Sequence, residues 1–451
     1  MNQNQITVEP ELLERELSRR GFLLSAASGI GGAVLTANGL RAEGLQKTQK
    51  KRPKVAAVFT TFTHRSHAHV ILENFLEPYW FNGKLTDPGV DVVSFYADQI
   101  SDRDMAKGVS RQYNIPLYKT IREALCVGGK ELAVDAVLSI GEHGNYPYNE
   151  LGQHEYPRKR FFDEITAVMK QSNRFVPLFN DKHLSYRWDW AKEMYDVTQK
   201  HGIPFMAGSS VPLAERIPPL ELPKHAEIEE AVSIHSGGVE SYDLHGLEVL
   251  QSMVESRKGG ETGISSVEFL DRDALMKALK NGRISKALVD ASMETEITRS
   301  IKPAKRISIE DVPNPHAILL RYKDGFKATV IGGAVTTWNF ACRLKNDPQI
   351  RATSYYVGPW NNRNLFKALS HAIQTHFRQG QAPYPVERTL LNTGVLDTAM
   401  HSRNQSGKRI LTPHLEIAYV PQDFRAMREM GKSWKIITED VPEPKGIKPN
   451  G

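Results

Sequence analysis

Between Val55 and Gly208 short apolar runs alternate with segments of helical spacing, and this alternation limits the fold more than any other feature of the chain. The runs are Val55–Phe59, Val90–Asp98, Pro116–Tyr118, Ala133–Ile140, Phe175–Asp181 and Ile203–Gly208. The segments between them, His67–Leu76, Arg103–Gln112, Thr120–Leu125, Phe161–Lys170 and a stretch from Ser185 as N-cap to about His201, space their apolar residues as helices do. Strands and helices in this order predict a parallel, doubly wound sheet with right-handed crossovers.

In such a sheet ligands bind at the carboxyl ends of the strands. The run from Phe175 delivers Asn180, Asp181, Lys182 and His183 to that edge. A partly buried lysine between an acid and a histidine suits proton transfer, because burial moves its pKa toward neutrality. The plainer alternative is a loop lysine in a surface ion pair.

After Leu213 the pattern changes. A proline-rich piece, Ile217–Pro223, marks a boundary. Beyond it come a strand over Glu229–Gly238, helices over Tyr242–Arg257 and Asp271–Lys280, and a hairpin of His316–Tyr322 with Phe326–Gly332. Strands at Val335–Leu344 and Ala352–Val357, helices at Asn364–Gln379 and Pro385–Ser402, and a last strand at His414–Tyr419 complete an expected α+β region with an open, mostly antiparallel sheet. The expected divisions are 1–42, 43–53, 54–213, 214–420 and a tail of 421–451, mobile from Val441.

The first division reads as an address. Ser18-Arg19-Arg20-Gly21-Phe22-Leu23-Leu24 precedes a weakly apolar Gly/Ala-rich run and resembles a twin-arginine export signal, followed by a polar linker. The expected location is the periplasm or cell envelope, the expected partner the twin-arginine machinery, and no stable membrane span is expected. Of 451 residues 40% are hydrophobic and 24% charged, as in soluble proteins. The net charge of +6 forms no basic stripe with interleaved aromatics, so nucleic acid is not an expected partner. Two cysteines, Cys126 and Cys342, are too few for a disulfide framework or a thiolate zinc site.

Over roughly Lys54–Tyr419 the order of features resembles the Gfo/Idh/MocA family, the sugar and polyol dehydrogenases of the glucose-fructose oxidoreductase and inositol dehydrogenase type. That resemblance implies a Rossmann-type domain holding NAD or NADP, a sheet domain contacting a carbohydrate or polyol, and a flat sheet face able to pair in a homo-oligomer. The family's Glu-Lys-Pro motif falls on Asp181-Lys182-His183, which implies that Lys182 polarises the substrate hydroxyl. Its second motif falls on Ser241, His245 and Glu248, with His245 as general base and a serine where the acid belongs, and Ser241, Glu248 and His183 are the expected substrate contacts. The alternative for His245 is packing beside Asp243 at a domain seam.

Asp98 stands where the family's acid binds ribose, or else it pairs with Arg103 or caps the next helix. The first turn departs furthest. Thr60-Thr61-Phe62-Thr63-His64-Arg65-Ser66-His67-Ala68-His69 has none of the glycines that let a backbone approach pyrophosphate. Thr60 and Thr61 with Arg65 are its candidate phosphate contacts, and Glu142 and Asp181 on the same edge are further candidate cofactor contacts. His64, His67, His69 and His143 with Glu142 offer, as an alternative, a divalent-metal site. Three readings follow: a sugar or polyol oxidoreductase, a metal-dependent lyase or hydrolase, and a carbohydrate-binding protein without turnover.

Overall fold

In the computed structural model residues 51–299, 307–335, 337–443 and 447 are described, with the side chains of 297–299 excepted. The twin-arginine segment lies outside these residues. Lys51–Gly451 forms one compact unit carrying two large sheets.

The first sheet contains β1 (Lys54–Phe59), β2 (Asp91–Ala97), β3 (Leu117–Tyr118), β4 (Ala136–Ile140), β5 (Leu178–Asp181) and β6 (Phe205–Gly208). Their order across the sheet is β3-β2-β1-β4-β5-β6, with every pair parallel. The order reverses between β1 and β4, which places the topological switch point at their carboxyl ends. Val55 to Phe59 are wholly buried on both faces, the reason the run is apolar without alternation. The crossovers are α1 (His67–Leu76), α2 (Ala106–Tyr113), α3 (Ile121–Cys126), α4 (Arg158–Gln171) and α5 (Trp188–His201). Ser66 caps α1 by accepting from the His69 N–H, and Thr120 with Glu123 forms a capping box at α3.

The second sheet runs β14-β9-β10-β11-β8-β12-β13-β7. Here β7 is Glu215–Ile217, β8 Ile228–His235, β9 Ile264–Leu270, β10 His316–Tyr322, β11 Lys327–Gly332, β12 Trp338–Leu344, β13 Ile350–Tyr356 and β14 Ile410–Leu411. Only β8 and β11 pair in parallel, so the sheet is mostly antiparallel. Its helices are α6 (Asp243–Val254), α7 (Arg272–Lys280), α8 (Lys286–Arg299), α9 (Asn362–Gln379) and α10 (Glu387–Asn404). One apolar cluster joins Val55, Phe59 and Phe95 of the first sheet to Leu247 of α6, Val267 and Phe340 of the second, so the sheets share a core.

Several local expectations are corrected. Ser185 does not cap α5: the helix starts at Trp188, and the Ser185 hydroxyl accepts from the Arg187 N–H at 3.4 Å inside a buried turn. His414–Tyr419 is no strand. Pro413 at its head bends it into a 3-10 turn over Pro413–Leu415, and Tyr419 keeps one isolated bridge, to Glu261. The strand β9, the helix α8 and a small hairpin of Tyr79–Phe81 with Lys84–Thr86 were not anticipated. Part of the expected tail packs on the body: Arg428 and Glu429 are buried, and the Arg428 guanidinium pairs with Glu221.

Candidate active site

The site grows from the end of β5. All four residues of that strand are buried, and the chain turns at Lys182, whose φ of +63° lies in the left-handed region that a lysine seldom adopts. The Gly208 N–H donates to the Lys182 carbonyl at 3.1 Å and fixes the turn. Lys182 Nζ then donates to Glu142 Oε1 at 2.9 Å. Arg158, at the start of α4, donates to the other Glu142 oxygen, to the Asp181 carbonyl at 3.2 Å and to His183 Nε2 at 3.3 Å. Arg158 reaches this far because Gly141 has no side chain; a Cβ there would lie 2.7 Å from Arg158 Cγ.

Burial opposes the charge on Glu142, but Lys182 and then Arg158 overcome it and hold the carboxyl well below the usual range. His183 is kept neutral by burial and by the Arg158 charge. His67 Nδ1 meets Asp181 Oδ2 at 2.6 Å, and the His67 N–H donates to His143 Nδ1 at 3.4 Å. Burial lowers His143 to about 4.

The second sheet contributes α6 and the turn before it. His245 Nδ1 sits 2.6 Å from Ser209 Oγ, and Ser209 Oγ also accepts from the Val211 N–H at 3.0 Å. Burial, with the Lys182 charge, keeps His245 neutral. Ser241, the residue aligned with the family's acid, is exposed. The acid present is its neighbour Glu240, which is 4% exposed, has φ +71°, and brings Oε1 to 3.7 Å from His183 Nε2. Burial raises its carboxyl to about 7, against the pull of Arg158. Glu142 and Glu240 therefore sit in one charged cluster with their proton affinities driven apart.

Glu248, expected at the substrate, is turned away from this cluster. It accepts from Thr389 Oγ1 and Asn392 Nδ2, both at 3.0 Å, and is buried beside Gly208 and Arg388 as a packing knot between α6 and α10.

The turn after β1 is occupied by the chain itself. Asp104 Oδ2 accepts the Phe62 N–H at 2.7 Å and the Thr61 hydroxyl at 3.0 Å. The Thr63 N–H goes to Ser66 Oγ, the Arg65 N–H to His69 Nδ1, the Ser66 N–H to the Thr63 carbonyl, and the Thr60 hydroxyl to the Glu142 carbonyl at 2.5 Å. Asp98 is likewise taken, by Tyr96 at 2.7 Å, Tyr146 at 2.6 Å and Arg160 at 2.5 Å, not by Arg103. A dinucleotide is held by free backbone N–H groups at its pyrophosphate and a free carboxylate at its ribose. The residues present do not fit that group: Thr60, Thr61 and Asp98 have partners where the cofactor would need them unpaired.

The turn histidines do not assemble a metal site. His64 is exposed, while His69 is buried, accepts from the Arg65 N–H at 2.8 Å, and is lowered by burial to about 3. His67 is committed to Asp181. Among the described residues the group whose ligand atoms do converge is His235, Asp243 and His316, on the second sheet.

Two residues central to this geometry had escaped the sequence. Arg158 reads as one charge in the surface-like run Arg158-Lys159-Arg160, and no local pattern marks it. Glu240 did leave a signal, an acid between a predicted strand and a predicted helix, one position from where the resemblance placed it.

The parallel sheet in this strand order, joined to an open mostly antiparallel sheet, is the fold of the Gfo/Idh/MocA-type dehydrogenases. Among solved structures it resembles GenD2 from gentamicin A biosynthesis in complex with NAD, at 11% identity and TM-score 0.50, covering 84% of this chain and 99% of that one. It also resembles apo scyllo-inositol dehydrogenase from Lactobacillus casei, at 9% identity and TM-score 0.50, covering 80% of this chain and 98% of the other. No family model matches the sequence, and no curated protein does.

Proposed function

We propose that this protein is an enzyme acting on a carbohydrate or polyol by proton transfer, built on a sugar-dehydrogenase type of scaffold and exported by the twin-arginine route to the periplasm or cell envelope. The observation that carries the reading is the buried pair of carboxyls, Glu142 held ionised and Glu240 raised to about 7, around Lys182. Lys182, oriented by Glu142, donates a hydrogen bond to a substrate oxygen and stabilises negative charge developing there. Glu240 takes or returns the proton near neutral pH. Neutral His245, oriented by Ser209, is the third polar group facing this end of the sheet. Such a set suits isomerisation or elimination next to a carbonyl, where a proton leaves carbon and the charge passes to oxygen.

The test is exchange of substrate C–H for deuterium across a panel of sugars and polyols, followed by magnetic resonance with no cofactor added. Exchange by the wild type that falls about 10²- to 10⁴-fold in Lys182→Met, with the fold intact, supports the reading. Absence of exchange across the panel, together with nicotinamide reduction, favours a second reading, NAD- or NADP-dependent oxidation of the same substrate class with Lys182 polarising the hydroxyl. One observation speaks for that alternative, the likeness of the scaffold to a structure holding NAD.

A further inference from the structure

On the second sheet, away from the turn histidines, His235 ends β8 and His316 begins β10, with β11 between them. Gly332 of β11 lies level with His316, and the glycine is what lets the rings meet: a Cβ there would come 2.1 Å from His316 Cε1 and 2.8 Å from His235 Cε1. Gly246 of α6 makes room from the other side, since its Cβ would fall 2.7 Å from His235 Cδ2. Both imidazoles aim Nε2 at a single atom, Asp243 Oδ1 in the first turn of α6, from 2.9 Å (His235) and 2.7 Å (His316). Phe269 stacks on the His316 ring with centroids 5.4 Å apart. The other Asp243 oxygen accepts the Glu240 N–H at 2.8 Å.

Asp243 and His235 are fully buried and His316 nearly so. Among the described residues no lysine or arginine pairs with Asp243; its ion-pair partners are the two imidazoles. A buried carboxylate with no lysine or arginine partner is costly to keep out of water unless a cation offsets its charge. Two nitrogens and one oxygen converging on one point, with the second carboxylate oxygen fixed by a backbone N–H, are the donors and the outer support that a borderline divalent ion takes. A tetrahedral ion with bonds of about 2.0–2.2 Å holds its ligand atoms roughly 3.3–3.6 Å apart, so the nitrogen–oxygen spacings of 2.9 and 2.7 Å would widen by about half an ångström or more on binding.

We propose that His235, Asp243 and His316 bind one zinc-type divalent cation, a site independent of the proton-transfer cluster in its residues. The ion ties β8 and β10 to α6, and through Asp243 it sets the backbone of Glu240.

The test is metal analysis of the full-length protein purified without chelators, with a titration of the stripped protein by cobalt(II) read in the visible spectrum. The expected result is about one equivalent of metal per chain and a saturable cobalt spectrum of a low-coordinate nitrogen and oxygen site. His316→Gln should lose at least about nine tenths of the metal, and His64→Ala, on the exposed turn, none. If His316→Gln fails to fold, the wild-type cobalt spectrum decides alone. Metal below about a tenth of an equivalent with no saturable cobalt uptake overturns the proposal. Metal retained in folded His316→Gln overturns it equally.

Discussion

The same sheet edge is finished in two ways, at the carboxyl end of β5 and at the turn after β1. At β5 the chain spends backbone strain to gather charge: Lys182 and the facing Glu240 both have positive φ, and Glu142 is clamped between Lys182 and Arg158. At β1 the chain discharges its own edge. The N–H groups of Phe62, Thr63, Arg65 and Ser66 and the hydroxyls of Thr60 and Thr61 each have an internal acceptor. Strain and unlike proton affinities mark a place prepared for chemistry, whereas satisfied donors mark a place prepared to be left alone. The proposed function keeps the proton-transfer half of a dehydrogenase site and gives up the cofactor grip.

The comparison breaks most visibly through Arg158. Arg158→Met leaves the buried Glu142 carboxylate with Lys182 alone, and chemical denaturation should report a loss of about 3–5 kcal/mol. A loss below about 1 kcal/mol would mean that the β5 cluster is open to water.

Glu240 sharpens it next. Its native carboxyl titrates near 7 against an ordinary 4.5, so the folded state keeps a proton that the unfolded chain gives up between those values. Glu240 therefore costs nothing below about pH 4.5, costs more as pH rises through that window, and costs its full amount above 7. Glu240→Gln, neutral throughout, should match wild type at acid pH and exceed it by about 3 kcal/mol above pH 7, read from denaturation curves at several pH values. Equal stability at every pH would place the Glu240 carboxyl in solvent.

The smallest expected effect belongs to the β1 turn. Asp104→Ala frees the Phe62 and Ala106 N–H groups and the Thr61 hydroxyl and should cost about 1–3 kcal/mol. Thermal melting in increasing phosphate should then recover part of the loss in the variant and leave the wild type unmoved, because the donors freed in the turn after β1 suit an anion.

Much of the first sheet was legible because its strands are buried on both faces: Val55–Phe59 stays apolar without interruption, Ala136–Ile140 is broken only by the buried Ser139, and α1 begins and ends where its spacing says. Capping was harder to read. Ser185 looked like a helix start, yet α5 opens at Trp188, and Arg187 at its N-cap makes no side-chain cap, because the buried turn around His183 uses up the intervening residues. In the second sheet β9 mixes serines and a glutamate with its apolar residues, and α8 buries only a narrow set that includes Leu288, Val289 and Met293, so neither pattern stood out. Lys182 could be read from its place at a strand end. Its partners could not, since Arg158 and Glu240 reach it from separate elements and a contact between distant parts of the chain leaves no local period. The filling of the β1 turn by Asp104 was invisible for the same reason, although the missing glycines had announced that something there was different.

The central claim is that this edge transfers protons without a dinucleotide in the turn after β1. Titration calorimetry of the full-length protein with NAD and with NADP tests it most directly. The account predicts no saturable heat up to about millimolar cofactor, where binding would be worth only ~4 kcal/mol. One-to-one binding at micromolar concentration would contradict it.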